Sequence, residues 1–350
     1  MKKVNVLVLI LMLASVIQAQ WLKAEVNTKA SFRGLDVVNE NVVWASGTGG
    51  TVIRTIDGGD NWDVINVPGA DKLDFRDIEA FDDKIAYILS IGNGESSRIY
   101  KTIDGGKTWK LQFTNTDKKA FFDSIAFWDE KNGMAQSDPV NGKYVFYRTT
   151  DGETWKKVSP KNMPSAKKGE AAFAASGTCI ITHGKKRIWL ITGGSDARVF
   201  YSKNRGKRWK EYNTPIINGT QGSGIFGIAM QNKKHGVIVG GNYEKPNEAN
   251  NNVAFTTNGG KTWTLAKGLN GYRSGVAYIN ANTIIAVGSN GSDISYDGGK
   301  TWKNLNNWNY NSVQSVGNST WAVGPKGLVA ERTFVRVNPL SLVNLKKKDL

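Results

Sequence analysis

Six times along the chain a Ser or Thr, an Asp or Asn and a glycine turn lead into a tryptophan: 55–62 (TIDGGDNW), 102–109 (TIDGGKTW), 149–155 (TTDGETW), 202–209 (SKNRGKRW), 256–263 (TTNGGKTW) and 295–302 (SYDGGKTW). The Asp or Asn positions 57, 104, 151, 204, 258 and 297 follow one another after 47, 47, 53, 54 and 39 residues. A period of that length belongs to propeller blades or solenoid coils, whose units bury their apolar faces only against each other. Each copy has the chemistry of a turn. The Asp or Asn side chain accepts hydrogen bonds from the backbone that follows it, and Gly supplies the positive φ of a tight hairpin. The Trp is large enough to fill the gap between neighbouring sheets. The carboxylates of these copies are therefore read as turn-makers rather than catalytic acids. The fourth copy departs most, with Asn204-Arg205 in place of Asp-Gly, and is the expected place for a distorted turn.

Between the copies run short alternating segments rich in Val, Ile, Phe and Tyr, with no helical period, so the chain is all-β. Seven inner runs are expected at 32–38, 75–81, 121–127, 170–175, 225–230, 272–278 and 311–316, one more than the number of turn copies. The seventh unit, 308–335, has further runs at 319–324 and 327–333 but no turn copy after them. A ring left with open sheet edges invites aggregation, and residues 21–26 are placed to supply the missing outer strand. The expected architecture is a seven-bladed β-propeller closed by its N-terminal strand. An eighth blade would need about 40 more residues. One domain, 20–337, follows a leader over 1–19 and precedes a tail over 338–350.

The turn copies resemble Asp-boxes, the S/T-x-D-x-G-x-T-W repeats of sialidase-like and related β-propellers. In length and blade layout the chain looks most like the photosystem II assembly-factor-like group of Asp-box propellers, over about residues 21–335. The resemblance implies the propeller fold. It leaves function open among glycosidases, glycan binders and assembly factors, because a fold hosts many functions.

Lys2 and Lys3 precede an apolar run at 6–13 and a small residue, Ala19, before Gln20, which is the layout of a cleaved secretory signal. The run is too short to span a bilayer. A secreted or periplasmic monomer without a membrane span is expected. One cysteine, Cys179, excludes an internal disulfide, and with only His183 and His235 beside it no thiolate or multi-histidine metal site can be assembled. Oxygen-ligated calcium stays open, and no cofactor is expected. Neither His lies near a nucleophile elbow, and the glycines at 47–50 open no helix, so hydrolase triads and dinucleotide sites are without support. The net charge of +16, or +14 once Lys2 and Lys3 leave with the leader, favours an anionic glycan or an acidic protein partner. For an exported chain nucleic acid is not expected.

Ligand sites in propellers usually occupy the channel mouth, where loops of all blades converge. Aligning the inner runs brings Arg33, Arg76, Glu170 and Arg273 to nearly one level, with Asp77 and Asp123 one step along. The loops between second and third strands add Arg98, Asp138, Lys143, Asp196, Arg198, Tyr243, Glu244 and Asp293. Arg33, Arg76, Arg273 and Arg198, with Asp138 and Asp293, are the expected ligand-binding set, since guanidinium groups hold carboxylate, sulfate or phosphate through paired hydrogen bonds. Glycoside cleavage needs a carboxylic acid and a second group as nucleophile or base. Glu170 and Asp123 are the first candidates, and Tyr243 could serve as a nucleophile by likeness to sialidases, although their N-terminal arginine motif is missing here. The plain alternative is a network of ion pairs filling the channel. Phe32, Phe75, Phe121, Phe122, Phe226 and Tyr272 are read first as packing between blades and second as sugar-stacking surfaces. The leading expectation is an exported propeller that binds an acidic carbohydrate and is a candidate to cleave it. The other is a non-enzymatic assembly or interaction scaffold.

Overall fold

The computed structural model describes residues 16–159 and 162–337, so most of the expected leader and all of the expected tail lie outside the described residues. Seven antiparallel four-stranded blades form the ring, and the sheet of blade 5 is extended to six strands by two short segments at its inner edge. Their inner strands are Phe32–Val37, Phe75–Ala80, Phe122–Asp129, Ile180–His183, Ser223–Met230, Gly275–Tyr278 and Ser312–Val316. Blades 1 to 6 each take their four strands in chain order. Blade 7 takes its outer strand from the N-terminal segment: Val16–Ala24 runs antiparallel to Val329–Val337, with Trp21 opposite Arg332 and Ala24 opposite Val329. Blade 7 is thereby completed to four strands, and the outer strands of the ring leave only short edges.

Six of the inner strands fall close to their expected places. The fourth does not: the run at 170–175 is not the inner strand of blade 4, which is Ile180–His183. Only Glu170–Ala171 is extended there, and it pairs with Gly193–Gly194, which in turn joins the inner strand of blade 5. The reason is packing. Cys179 and Ile180 carry the apolar, fully buried side chains that the blade core needs, whereas the alanines at 171–175 supply little volume.

The turns between third and fourth strands lie on one face and share one hydrogen-bond pattern. In blade 1 the Thr55 hydroxyl accepts from the Gly59 N–H at 2.9 Å, and the Asp57 carboxylate accepts from the Asn61 N–H at 2.9 Å. Blade 4 repeats both bonds with Ser202, Gly206, Asn204 and Arg208 at 3.0 Å. Its turn is not distorted, because Arg205 adopts φ 57°, the conformation that Gly58 holds at 73°. Large second-strand side chains reach across to the next blade. Trp44 donates to the Asp82 carbonyl and Trp189 to the Gly259 carbonyl, each at 3.0 Å. The buried Trp321 packs edge-on against Trp62, so close to Gly59 that a Cβ there would lie 2.4 Å from its ring. Each turn is thus both a hairpin clip and a floor for its neighbour.

Candidate functional site

The channel is crossed by the chain itself. Residues 172–178, between the outer strand of blade 3 and the inner strand of blade 4, touch the six other blades. The Ala172 N–H donates to Asp138 of blade 3 at 2.8 Å, and Phe173 stacks on Phe226 of blade 5 with centroids 4.0 Å apart. The Ala174 carbonyl accepts from Arg76 at 3.3 Å and the Ala175 carbonyl from Arg33 at 3.0 Å. The Ser176 hydroxyl donates to the Ser274 carbonyl at 2.7 Å, and its carbonyl accepts from Ser312 at 3.2 Å. The Gly177 carbonyl accepts from Ser124 at 2.7 Å. Glycine is required there: φ is 73°, and a Cβ would stand 2.3 Å from Oδ1 of Asp77.

Above this plug opens a cavity of about 380 Å³. Arg33 and Arg76 stand at its rim, each preceded by a buried phenylalanine that seats the start of its inner strand. Phe173, Phe226, Tyr243 and Tyr272 make the aromatic wall, and Ser274, Ser289 and Asn311 add polar groups. Arg76 also donates to Asp74 at 2.7 Å, a pair about a quarter exposed on each side. Burial, and then the neighbouring Arg76, hold the Arg33 guanidinium below its usual range. Two cations side by side against a wall of rings make a place where an anion is favoured.

The other two arginines of the expected set are turned away. Arg273 is fully buried outside this cavity: Nε and Nη2 donate to Asp293 at 2.6 and 2.5 Å, Nη1 to the Tyr272 carbonyl at 2.7 Å, and Nη2 to the Asn270 carbonyl at 2.8 Å. Blade 6 begins its inner strand only at Gly275, so Arg273 belongs to the preceding loop and folds back onto its own blade. Burial opposes both charges, holding Arg273 below and Asp293 above its usual range, and their pairing counters only part of it. Arg198 is buried likewise, forked onto Glu170 with Nε at 2.9 Å from Oε1 and Nη2 on Oε2, and it also holds Glu211 and the Ser165 carbonyl.

The carboxyls expected for cleavage are equally committed. Glu170 accepts further bonds from Thr192 at 2.7 Å and from the Lys167 N–H at 2.9 Å, and its side chain has no exposed surface. Asp123 is buried beneath the plug with Gln136 at 3.3 Å, and burial followed by the nearby Asp138 pushes its carboxyl well above the usual range. Asp138 binds the Ala172 N–H and is itself raised by burial to about 6. Tyr243 stands half exposed on the rim. Deeper acids join blades: Asp36 accepts from the Ala80 N–H at 2.6 Å, and Asp77 accepts from the Ile125 N–H at 2.7 Å and lies 2.5 Å from the Ser124 hydroxyl oxygen. Among the described residues no group of His, Cys, Asp and Glu has a metal-binding arrangement.

No protein-family model matches the chain, and no curated protein matches it either. Solved structures do. YCF48 bound to D1 peptide is similar with a TM-score of 0.65 at 15% identity, covering 91% of this chain and 98% of that one. Virginiamycin B lyase from Staphylococcus aureus gives 0.66 at 14% identity, with 91% and 100% covered. The GH74 enzyme of Niastella koreensis gives 0.60 at 14% identity, with 89% of this chain and 53% of that one covered. At such identities the likeness carries the propeller fold and not the chemistry.

Proposed function

We propose that this propeller is a non-enzymatic interaction scaffold that holds a carboxylate-bearing segment of a partner protein at the mouth between Arg33 and Arg76. One observation carries the reading. These two guanidinium groups face an open cavity, while the carboxyls that hydrolysis would use, Glu170 and Asp123, are buried and bonded to the protein. The charge of +14 that remains once Lys2 and Lys3 leave with the leader adds a field that attracts acidic partners. YCF48, of similar fold, is described with a bound peptide, which supports a peptide over a small solute.

An acidic carbohydrate at the same mouth is the second reading, favoured by Tyr243, Phe226 and Tyr272, whose rings could face a sugar. Cleavage would additionally require a carboxyl released from its partners. Calorimetry with acidic peptides and with uronate oligosaccharides, on wild type and on the Arg33→Gln/Arg76→Gln variant, separates these cases. Peptide binding lost in the variant supports the scaffold, and glycan binding alone moves the assignment to the second reading. Equal affinity of variant and wild type for either ligand class would remove the mouth from consideration. Export belongs to the same proposal, with cleavage ahead of Gln20. A mature protein whose intact mass retains residues 1–19 would refute it.

A further inference from the structure

We propose a second anion site, independent of the mouth, in the cleft between blades 3 and 4, built by Arg148, Arg205 and Lys207 for a phosphate-like oxyanion. The cleft encloses about 290 Å³ and is lined also by Met134, Val158 and Ser159. Arg148 and Arg205 both lie over the ring of Trp128, with guanidinium carbons 5.8 and 5.5 Å from its centroid. Their charges therefore share one aromatic platform, which favours cations but leaves them repelling each other.

The two are not equally provided for. Arg205 donates to the Lys185 carbonyl at 2.7 Å and to Asn132 at 2.8 Å, and reaches Asp129 only at 3.7 Å. Among the described residues no carboxylate comes within 4 Å of Arg148, and its Nε is buried without a partner. Burial, and then Arg205, hold the Arg148 guanidinium below its usual range. An oxyanion in the cleft, met by the outer guanidinium nitrogens rather than by the enclosed Nε, would neutralise the repulsion between the two arginines.

The backbone adds a separate observation. At the position of Arg205 the copies in blades 1, 2, 5 and 6 have Gly58, Gly105, Gly259 and Gly298, all with positive φ. Only the fourth copy places a long cationic side chain in this left-handed conformation, at φ 57°. Glycine would satisfy the turn without strain, so the turn does not account for the arginine. Its side chain lies over Trp128 beside Arg148, with Lys207 two residues on.

Calorimetry of the full chain at constant ionic strength, with inorganic phosphate and separately with glycerol 3-phosphate, tests the site and distinguishes free from esterified phosphate. Arg148→Met keeps the side-chain stem but removes the charge, and Arg205→Gly restores the residue of the other turns. The expected result is binding of at least one probe, weakened tenfold or more in both variants and unchanged in Lys261→Gln, the matching lysine of the fifth copy. The proposal is overturned if neither probe binds, or if either variant that folds by circular dichroism loses less than tenfold. Arg205→Gly keeps the test decisive should Arg148→Met fail to fold.

Discussion

Arg33 and Arg76 differ from Arg198 and Arg273 in one respect that matters: whether the protein has already supplied the anion. Arg198 and Arg273 are enclosed with carboxylates of their own, Glu170 and Asp293. Among the described residues Arg33 is held by a plug carbonyl, and Arg76 by another and by the partly exposed Asp74. A buried ion pair is better at fixing a structure than at binding anything, because exchange of either partner would strand a charge. The same residue type therefore serves as framework on one side of the ring and as an open receptor on the other.

The sharpest way to break this contrast is to strand one of the framework cations. Glu170→Ala removes the buried fork and leaves Arg198 with only the partly exposed Glu211 as carboxylate partner among the described residues, and denaturant unfolding should show a loss toward the lower end of about 3–5 kcal/mol. Affinity at the mouth should stay within about twofold for the folded fraction, and a large loss of affinity with intact stability would reverse the roles assigned here. Next in size is the plug. Gly177→Ala forces a Cβ against Asp77 at positive φ and should cost about 1–3 kcal/mol, with a matching fall in Tm. An unchanged Tm would mean that the segment adapts and does not position the mouth.

Arg76→Gln should behave oppositely to Glu170→Ala. A partly exposed pair is worth about 0–1 kcal/mol, so stability barely moves while the affinity for a carboxylate ligand falls about tenfold, or about 1.4 kcal/mol. Stability should also respond to pH. Burial pushes the Asp77 carboxyl up to about 8, while in the unfolded chain it would release its proton near 3.8. Between those values the folded state holds the extra proton, so this group's contribution to stability is present at pH 4 and is lost as pH rises through 8. Asp36 is raised too but keeps some contact with water, which moderates its share. The turn carboxylate Asp297 acts in reverse, held down at about 2 despite partial burial by bonds from Thr301 and its neighbours, and its contribution fades as pH falls toward that value. Thermal unfolding should therefore peak at mildly acidic pH, and a Tm that climbs steadily from pH 5 to 8 would contradict the assignment for Asp77.

Much of the ring could be read from residues because its signals are local. The Ser/Thr-x-Asp/Asn-x-Gly turns, the alternating runs and the missing seventh outer strand are all sequence-near features, and the hydrogen bonds of Thr55, Asp57 and their counterparts follow from them. Arg33 and Arg76 were legible for the same reason, each directly following the Phe that opens an inner strand. Glu170 was not. The alanines beyond it imitate a strand, and the sign of an insertion was only that the third-to-fourth turn spacing is 53 residues where the two before it are 47. Those extra residues became the plug. Arg273 was misplaced by a shorter version of the same problem, an inner strand that begins three residues later than its aromatic neighbour Tyr272 suggests. Whether a carboxyl is free or tied depends on partners distant along the chain, such as Glu170 with Arg198, and no periodicity reports that.

The pairing of Val16–Ala24 with Val329–Val337 has a consequence for how the molecule comes into being. The first strand to be synthesised has no partner until nearly the whole polypeptide has been made, so six blades must wait with an unsealed seam while the last one is produced. Assembly is therefore governed by its longest-range contact, the slow kind. Should the first nineteen residues be removed, the seam would be fastened by Gln20–Ala24 alone, five pairs where there had been nine.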